Sequence, residues 1–154
     1  MRLTRQTNYA IRMLMYCAAR KGELSRVPDI ARANGVSELF LFKILQPLVS
    51  GGFVETVRGR NGGIKLARPP GEISLLEVVK TTEDNFAMAE CFDNESTECP
   101  LVTGCTLNSA LHEALNAFFA VLDKYSIEDL SNSKSGVFDL FGIADHSPAS
   151  AAAN

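Results

Sequence analysis

The sequence predicts a mainly α-helical protein that carries one small β-hairpin. Three observations predict it. Two short helical patterns flank a glycine at residues 27–50, with the spacing of a helix-turn-helix. A glycine-rich hairpin pattern follows directly, over residues 53–67. A long apolar stripe at helical spacing then occupies residues 106–125. Together these describe a winged helix-turn-helix with a β-hairpin wing, followed by a long C-terminal helix suited to dimerisation.

Each element has a local cause. In residues 7–20, Ala10, Leu14, Cys17 and Ala18 recur at i, i+4, i+7 and i+8, with Ile11 alongside, and Gly22 stops the helix. A second helix begins near Val27-Pro28-Asp29, with proline and an acid in the first turn, and stops at Asn34-Gly35. A third runs from about Ser37 to Ser50, ending at Gly51-Gly52, and Pro47 should interrupt it late. Ala31 is small where two helices cross, Gly35 supplies a left-handed turn, and Leu41 pins the second helix to the first. Ser37 is placed to cap that helix. Strands over 53–58 and 64–67 bracket Gly59-Arg60-Asn61-Gly62-Gly63, and Pro69-Pro70-Gly71 punctuates the chain. Ser74-Leu75-Leu76-Glu77 is a capping box opening a short helix to about Lys80. Residues 85–105 have no sustained period. From Ser131 onward the chain turns to Ser, Gly and Ala, and Ser147–Asn154 should be disordered. The expected organisation is a DNA-binding domain at 1–80, a cysteine-bearing loop at 81–105, a dimerisation helix within 106–130 and a flexible acidic tail at 131–154.

Charge divides along the same lines. Residues 1–80 hold 13 Lys and Arg against 6 Asp and Glu, whereas residues 81–154 hold 2 against 12. The basic half suits a polyanion and the acidic half does not. Arg58 and Arg60 sit on a glycine-rich hairpin tip, Arg58-Gly59-Arg60-Asn61, where guanidinium groups can enter a narrow minor groove and the backbone can approach phosphates. No apolar run approaches the roughly 20 residues that a membrane span needs. The N-terminus reads as the start of an amphipathic helix rather than a signal peptide, so the expected location is the cytoplasm, where thiols stay reduced. His112 and His146 are the two histidines, and no nucleophile triad, phosphate loop or paired-carboxylate setting accompanies them. No enzymatic activity and no small-molecule substrate are expected.

The remaining chemistry is sulfur. Cys91, Cys99 and Cys105 are spaced C-x7-C-x5-C, without the C-x2–4-C knuckle of a structural zinc site or the C-x-x-C of a redox pair. Wide spacing on an irregular loop suits an iron–sulfur cluster, each of whose corners is bound by one thiolate. Pro100 and Gly104 help that loop to turn. Cys17 lies on the apolar face of the first helix and reads as core.

Ser37, Phe40-Leu41, Leu48, Gly52-Phe53-Val54, Arg58-Gly59, Gly62-Gly63 and Leu66-Ala67-Arg68, with Tyr9-Ala10, the capping-box helix at Ile73–Val79 and the cysteine trio, give the chain a resemblance over about residues 1–130. It resembles the Rrf-type winged-helix transcription repressors, and among them the rhizobial iron regulators of the RirA type. The resemblance implies a homodimer on double-stranded operator DNA. It places the helix of residues 37–49 in the major groove and the wing, with Arg58, at the minor groove. Phe42 stands where a relative has an acidic base-reading residue, which leaves Lys43, with Ser37 and Glu38 near the helix start, as the polar candidates there. It assigns the cluster to Cys91, Cys99 and Cys105, with 4Fe-4S favoured over 2Fe-2S. Relatives complete the set with a histidine or an aspartate where this chain has Asn108 and Asn8; asparagine is a poor iron ligand, so one corner is weakly held, with Asp93 and Glu98 as nearby carboxylates. The implied function is an iron-responsive repressor that binds its operator in the cluster-loaded form. A cluster-free thiol-sensing repressor and a nitric-oxide-sensing repressor of the same fold are the alternatives.

Overall fold

The structure is a computed structural model that describes residues 2–92, 99, 104–132 and 141–143, the Cys91 side chain excepted. Six helices and one hairpin are described, in the order α1 (Arg5–Ala19), α2 (Val27–Asn34), α3 (Glu38–Ser50), β1 (Val54–Val57), β2 (Gly63–Leu66), α4 (Leu75–Thr82), α5 (Thr106–Leu122) and α6 (Ile127–Ser131). Single 3-10 turns lie at Pro70–Glu72 and Glu90–Phe92.

The core sits beneath α1, α2, α3 and the hairpin. Ala10, Met13 and Leu14 of α1 meet Ile30 of α2, Leu41, Ile44 and Leu48 of α3, and Phe53, with all of these within 2% of full burial. Thr4 caps α1 by accepting the Thr7 N–H at 3.2 Å, which starts that helix two residues earlier than its apolar period suggests. Gly35 ends α2 in the left-handed region at φ 62°, and Ser37 caps α3 by accepting the Phe40 N–H at 3.3 Å. The helix-turn-helix therefore forms as its spacing predicts, with Ala31 and Leu41 both buried at the crossing.

Pro47 does not interrupt α3, which runs through it to Ser50. A proline there removes one donor, the one that would serve the Lys43 carbonyl four residues earlier. Lys43 is exposed, so solvent can take that carbonyl and the helix tolerates the loss.

β1 and β2 pair antiparallel from Val54↔Leu66 to Val57↔Gly63. Ser25 adds a third edge by exchanging two 2.8 Å backbone bonds with Ile64. Three wing glycines are each required for a different reason. Gly59 has φ 116°, a Cβ on Gly62 would lie 2.2 Å from the Val57 carbonyl oxygen, and one on Gly63 would lie 2.6 Å from that of Ser25. The wing leads into α4 through Arg68, whose guanidinium donates to the Glu72 carbonyl at 2.9 Å and to the Glu77 carboxylate at 3.2 Å. The same Glu77 oxygen accepts the Ser74 N–H at 3.1 Å and closes the capping box.

Two departures concern the C-terminal part. The long helix stops at Leu122 rather than Tyr125, and a separate short helix, α6, follows. Ser126 and Asp129 cap α6 reciprocally, and the Ser126 hydroxyl and backbone N–H hold the Asp129 carboxyl below the usual carboxylate range. Ile127 is fully buried in the core of the first domain and bonds its N–H to the Ile73 carbonyl at 2.9 Å. The expectation of a flexible tail from residue 131 also gives way locally. Ile143 is buried and Phe141 packs edge-on against Tyr16, with ring centroids 5.5 Å apart. Residues 133–140 and 144–154, including the stretch expected to be disordered, lie outside the described residues.

Candidate nucleic-acid interface and thiol loop

Helix α3 has two unlike faces. Leu41, Ile44, Leu45 and Leu48 are buried, whereas Glu38, Leu39, Phe42, Lys43, Gln46 and Val49 are exposed. At about 100° per residue the stripe from Leu39 to Val49 spans about 120° of the helix, opposite the core face. Ser37 is exposed at the cap and Glu38 in the first turn. Arg58, Gly59, Arg60 and Asn61 are all exposed at the wing tip. The ion pairs of the described residues are Arg20–Glu23, Arg32–Asp29, Lys65–Glu55 and Arg68–Glu77. Lys43, Arg58 and Arg60 are in none of them, so their charge is uncompensated by a neighbouring carboxylate.

A cationic feature that the sequence reading missed lies at the start of α3. Tyr9 and Phe40 meet edge-on with centroids 5.4 Å apart, Arg5 lies over both rings at 5.5 and 5.1 Å, and Arg12 lies over Tyr9 at 5.1 Å. Stacking fixes these guanidinium groups without neutralising them. The signal was available as Arg5, Tyr9 and Arg12 on one side of an amphipathic α1. Gln46 was missed as well, although it lies one turn beyond Phe42.

One of the thiols, that of Cys105, sits at the N-terminus of α5. Cys105 is the cap residue, and its Sγ accepts the Asn108 N–H at 3.4 Å. Phe92 stacks on His112 at 4.2 Å with the rings 14° apart, and the His112 Nδ1–H donates to the Asn108 carbonyl at 2.9 Å. This contact brings the turn containing Cys91 to the same end of α5 as Cys105. Cys99 is half-buried. The Asn108 Oδ1 is buried and has no hydrogen-bond partner among the described residues. Asn8 is exposed in the first turns of α1. Asp93 and Glu98 lie outside the described residues, and among the described residues no three metal-ligating side chains converge. Cys17 stands apart: it is 1% exposed, and burial pushes its thiol up to about 12.

The donor chemistry at α5 fits a cluster of the iron–sulfur type. The Cys105 sulfur lies at the helix N-terminus, within reach of a backbone donor, as a half-buried soft ligand. The orphaned Asn108 oxygen beside it is a polar atom that the chain itself leaves unsatisfied.

The far end of α5 is tied to the winged helix. The Tyr125 carbonyl accepts the Leu75 N–H at 2.8 Å, and the Ser74 hydroxyl donates to Asp123 at 3.1 Å. Between its ends α5 buries no residue, although Phe119 meets Phe86 edge-on at 4.9 Å and carries Lys80 over its face at 5.0 Å.

The profile of the family Rrf2, described as an iron-dependent transcriptional regulator, matches residues 3–133. The chain belongs to the Rrf2 family. It is a DNA-binding transcription regulator and not an enzyme. It is 63% identical over 145 residues to "Protein aau3" of Rhizobium meliloti (strain 1021), a match covering 94% of each chain. It is 44% identical over 146 residues to the HTH-type transcriptional regulator NsrR of Bacillus subtilis (strain 168), covering 94% of this chain and all of that one. Two solved structures share the Rrf2 fold. Oxidized CymR of Staphylococcus aureus has a TM-score of 0.68 at 23% identity, covering 86% of this chain and 97% of that one. IscR of T. potens has a TM-score of 0.66 at 21% identity, covering 84% of this chain and 85% of that one. No helix among the described residues is long and apolar enough to cross a membrane.

Proposed function

We propose that this Rrf2 protein is a homodimeric repressor that senses iron through a labile cluster on Cys91, Cys99 and Cys105, and that it binds its operator in the cluster-loaded form. The observation that carries the proposal is the seating of the cysteine turn and Cys105 at one end of α5 while the other end is bonded to the DNA-binding domain. When bound, a 4Fe-4S cluster would supply a covalent tie between the loop and that helix end. Asn108, a weak neutral donor, would leave one corner replaceable.

The chain's residues do the rest. Phe92 stacks on His112 and Cys105 caps α5. Ser74, Leu75 and Ile127 fasten the helix to the winged domain. The exposed apolar face of α5, with Leu107 64% and Val121 51% exposed, pairs with its two-fold mate. Two α3 helices then meet successive major grooves, with Ser37, Glu38 and Lys43 at the groove and Arg58 to Asn61 at the backbone and minor groove. A coupling of roughly 1–3 kcal/mol between loop and DNA gives a 5–150-fold switch.

Cys99→Ala protein should be colourless, and its operator affinity should fall toward that of the iron-free wild type. Equal affinity of the variant and the loaded wild type would rule the switch out. A second reading, response to nitric oxide, is favoured by the NsrR relative at 44% identity. Exposing the loaded protein to nitric oxide and, separately, to an iron chelator distinguishes the two by which one releases DNA.

A further inference from the structure

The exposed face of α3 is more apolar than phosphate binding requires. Leu39 is 76% exposed, Phe42 51% and Val49 40%, so three of the large exposed hydrophobics among the described residues lie on this one helix. Solvated apolar side chains of this size on one stripe mark a contact surface. Gln46 lies on the same stripe between Phe42 and Val49. Leu39 and Gln46 are seven residues apart, about 10 Å along the helix, or roughly three base-pair steps.

The occupant is set by the surroundings. Lys43 on the same helix and Arg58 and Arg60 on the wing carry charge that no carboxylate of the described residues answers. A polyanion with apolar points along its edge satisfies both features, whereas an apolar protein partner would leave the cations facing nothing. In a major groove the apolar points are thymine C5-methyl groups, and a glutamine side chain matches the N6 and N7 pair of adenine.

We propose that α3 reads A·T pairs in the major groove, with Leu39 and Phe42 packing on thymine methyls and Gln46 bonding adenine. This inference rests on the reading of α3 as the groove-entering helix. It adds that specificity comes from methyl groups and one amide, with no acidic base reader in the stripe.

The test uses the full chain, isolated anaerobically, to select duplexes from a random 26-bp pool. The best duplex is then remade with deoxyuridine for thymine at each half-site position. Uracil keeps the base pair and removes only the methyl group. Wild-type affinity should fall about fourfold for each contacted methyl, the value of burying one carbon, and Phe42→Ala protein should lose that discrimination at the position Phe42 contacts while keeping it at the position Leu39 contacts. Gln46→Ala should lose its preference for adenine at one position per half-site, by about 5- to 150-fold. These exposed positions carry no core packing, so each variant keeps its helical circular dichroism. Tight binding to selected duplexes that is indifferent to uracil would overturn this inference and leave the groove-entering reading standing. Failure to select any duplex would overturn both.

Discussion

Ile127→Ala tests the fastening of α5 to the winged domain most sharply. The Ile127 side chain is fully buried among residues of the winged domain, although it comes from beyond the end of α5. The substitution removes three carbons, worth about 2.5 kcal/mol at about 0.8 kcal/mol per buried methylene, and the cavity left behind brings the loss to about 3 kcal/mol. For a chain of this size that corresponds to roughly 6–12 °C in Tm. Urea denaturation of wild type and variant at one fixed protein concentration measures the loss without a shift from dimer mass action. The coupling should weaken with it, because the buried Ile127 side chain anchors the chain just past α5 in the core of the winged domain. The ratio of operator affinities with and without iron should therefore move toward one. A stability loss under about 1 kcal/mol would refute the placement of α6 in the core. A full loss of stability with an unchanged affinity ratio would refute α5 as the lever.

Other outcomes follow from single contacts. Arg58→Ala should weaken operator binding and lower the slope of log affinity against log salt by about 0.9, as expected for one phosphate, and an unchanged slope would remove the wing from the interface. Gly62→Ala should leave the melting curve of the helices nearly intact but reduce DNA affinity, since its Cβ would meet the Val57 carbonyl at 2.2 Å and force the wing tip open. Titrating the native apoprotein with iodoacetamide at about pH 8 should spare Cys17, whose thiol is pushed up to about 12, and mass spectrometry locates the label. The unfolded chain releases the Cys17 proton nearer 9, so this thiol's contribution to stability is present below pH 9 and is lost as pH rises from 9 toward 12. Ser74→Ala should cost about 1 kcal/mol through the lost cap and should also release Asp123, measurable by urea denaturation.

Much of the winged domain was legible because its signals are local. Gly35, Ser37 and the Ser74–Glu77 box each act within a few residues, and each is found doing so. The wing glycines were legible as a turn, but the reason for Gly63 was not, because its neighbour Ser25 is thirty-eight positions away. Pro47 misled because proline is costly in an isolated helix, whereas one missing bond on a solvated face is tolerable. Helix α6 was hidden by its length. Five residues carry no periodic stripe, although Ser126-Ile127-Glu128-Asp129 is a capping signature that marks its start. At the site, charge counts pointed to the basic half but not to the Arg5–Tyr9–Phe40 stack, which needs α1 and α3 side by side. The cysteine spacing suggested a shared ligand, while the Phe92–His112 stack that sets the Glu90–Phe92 turn against α5 is a tertiary contact with no sequence period.

In the proposed function, thiolate-bound iron sets the grip on DNA. Fluorescence anisotropy of one selected duplex, with loaded protein and with the same preparation after chelation, tests it at fixed salt and dimer concentration. A 5–150-fold weaker complex is expected after iron removal, corresponding to a coupling of roughly 1–3 kcal/mol. Identical binding curves before and after chelation would contradict it.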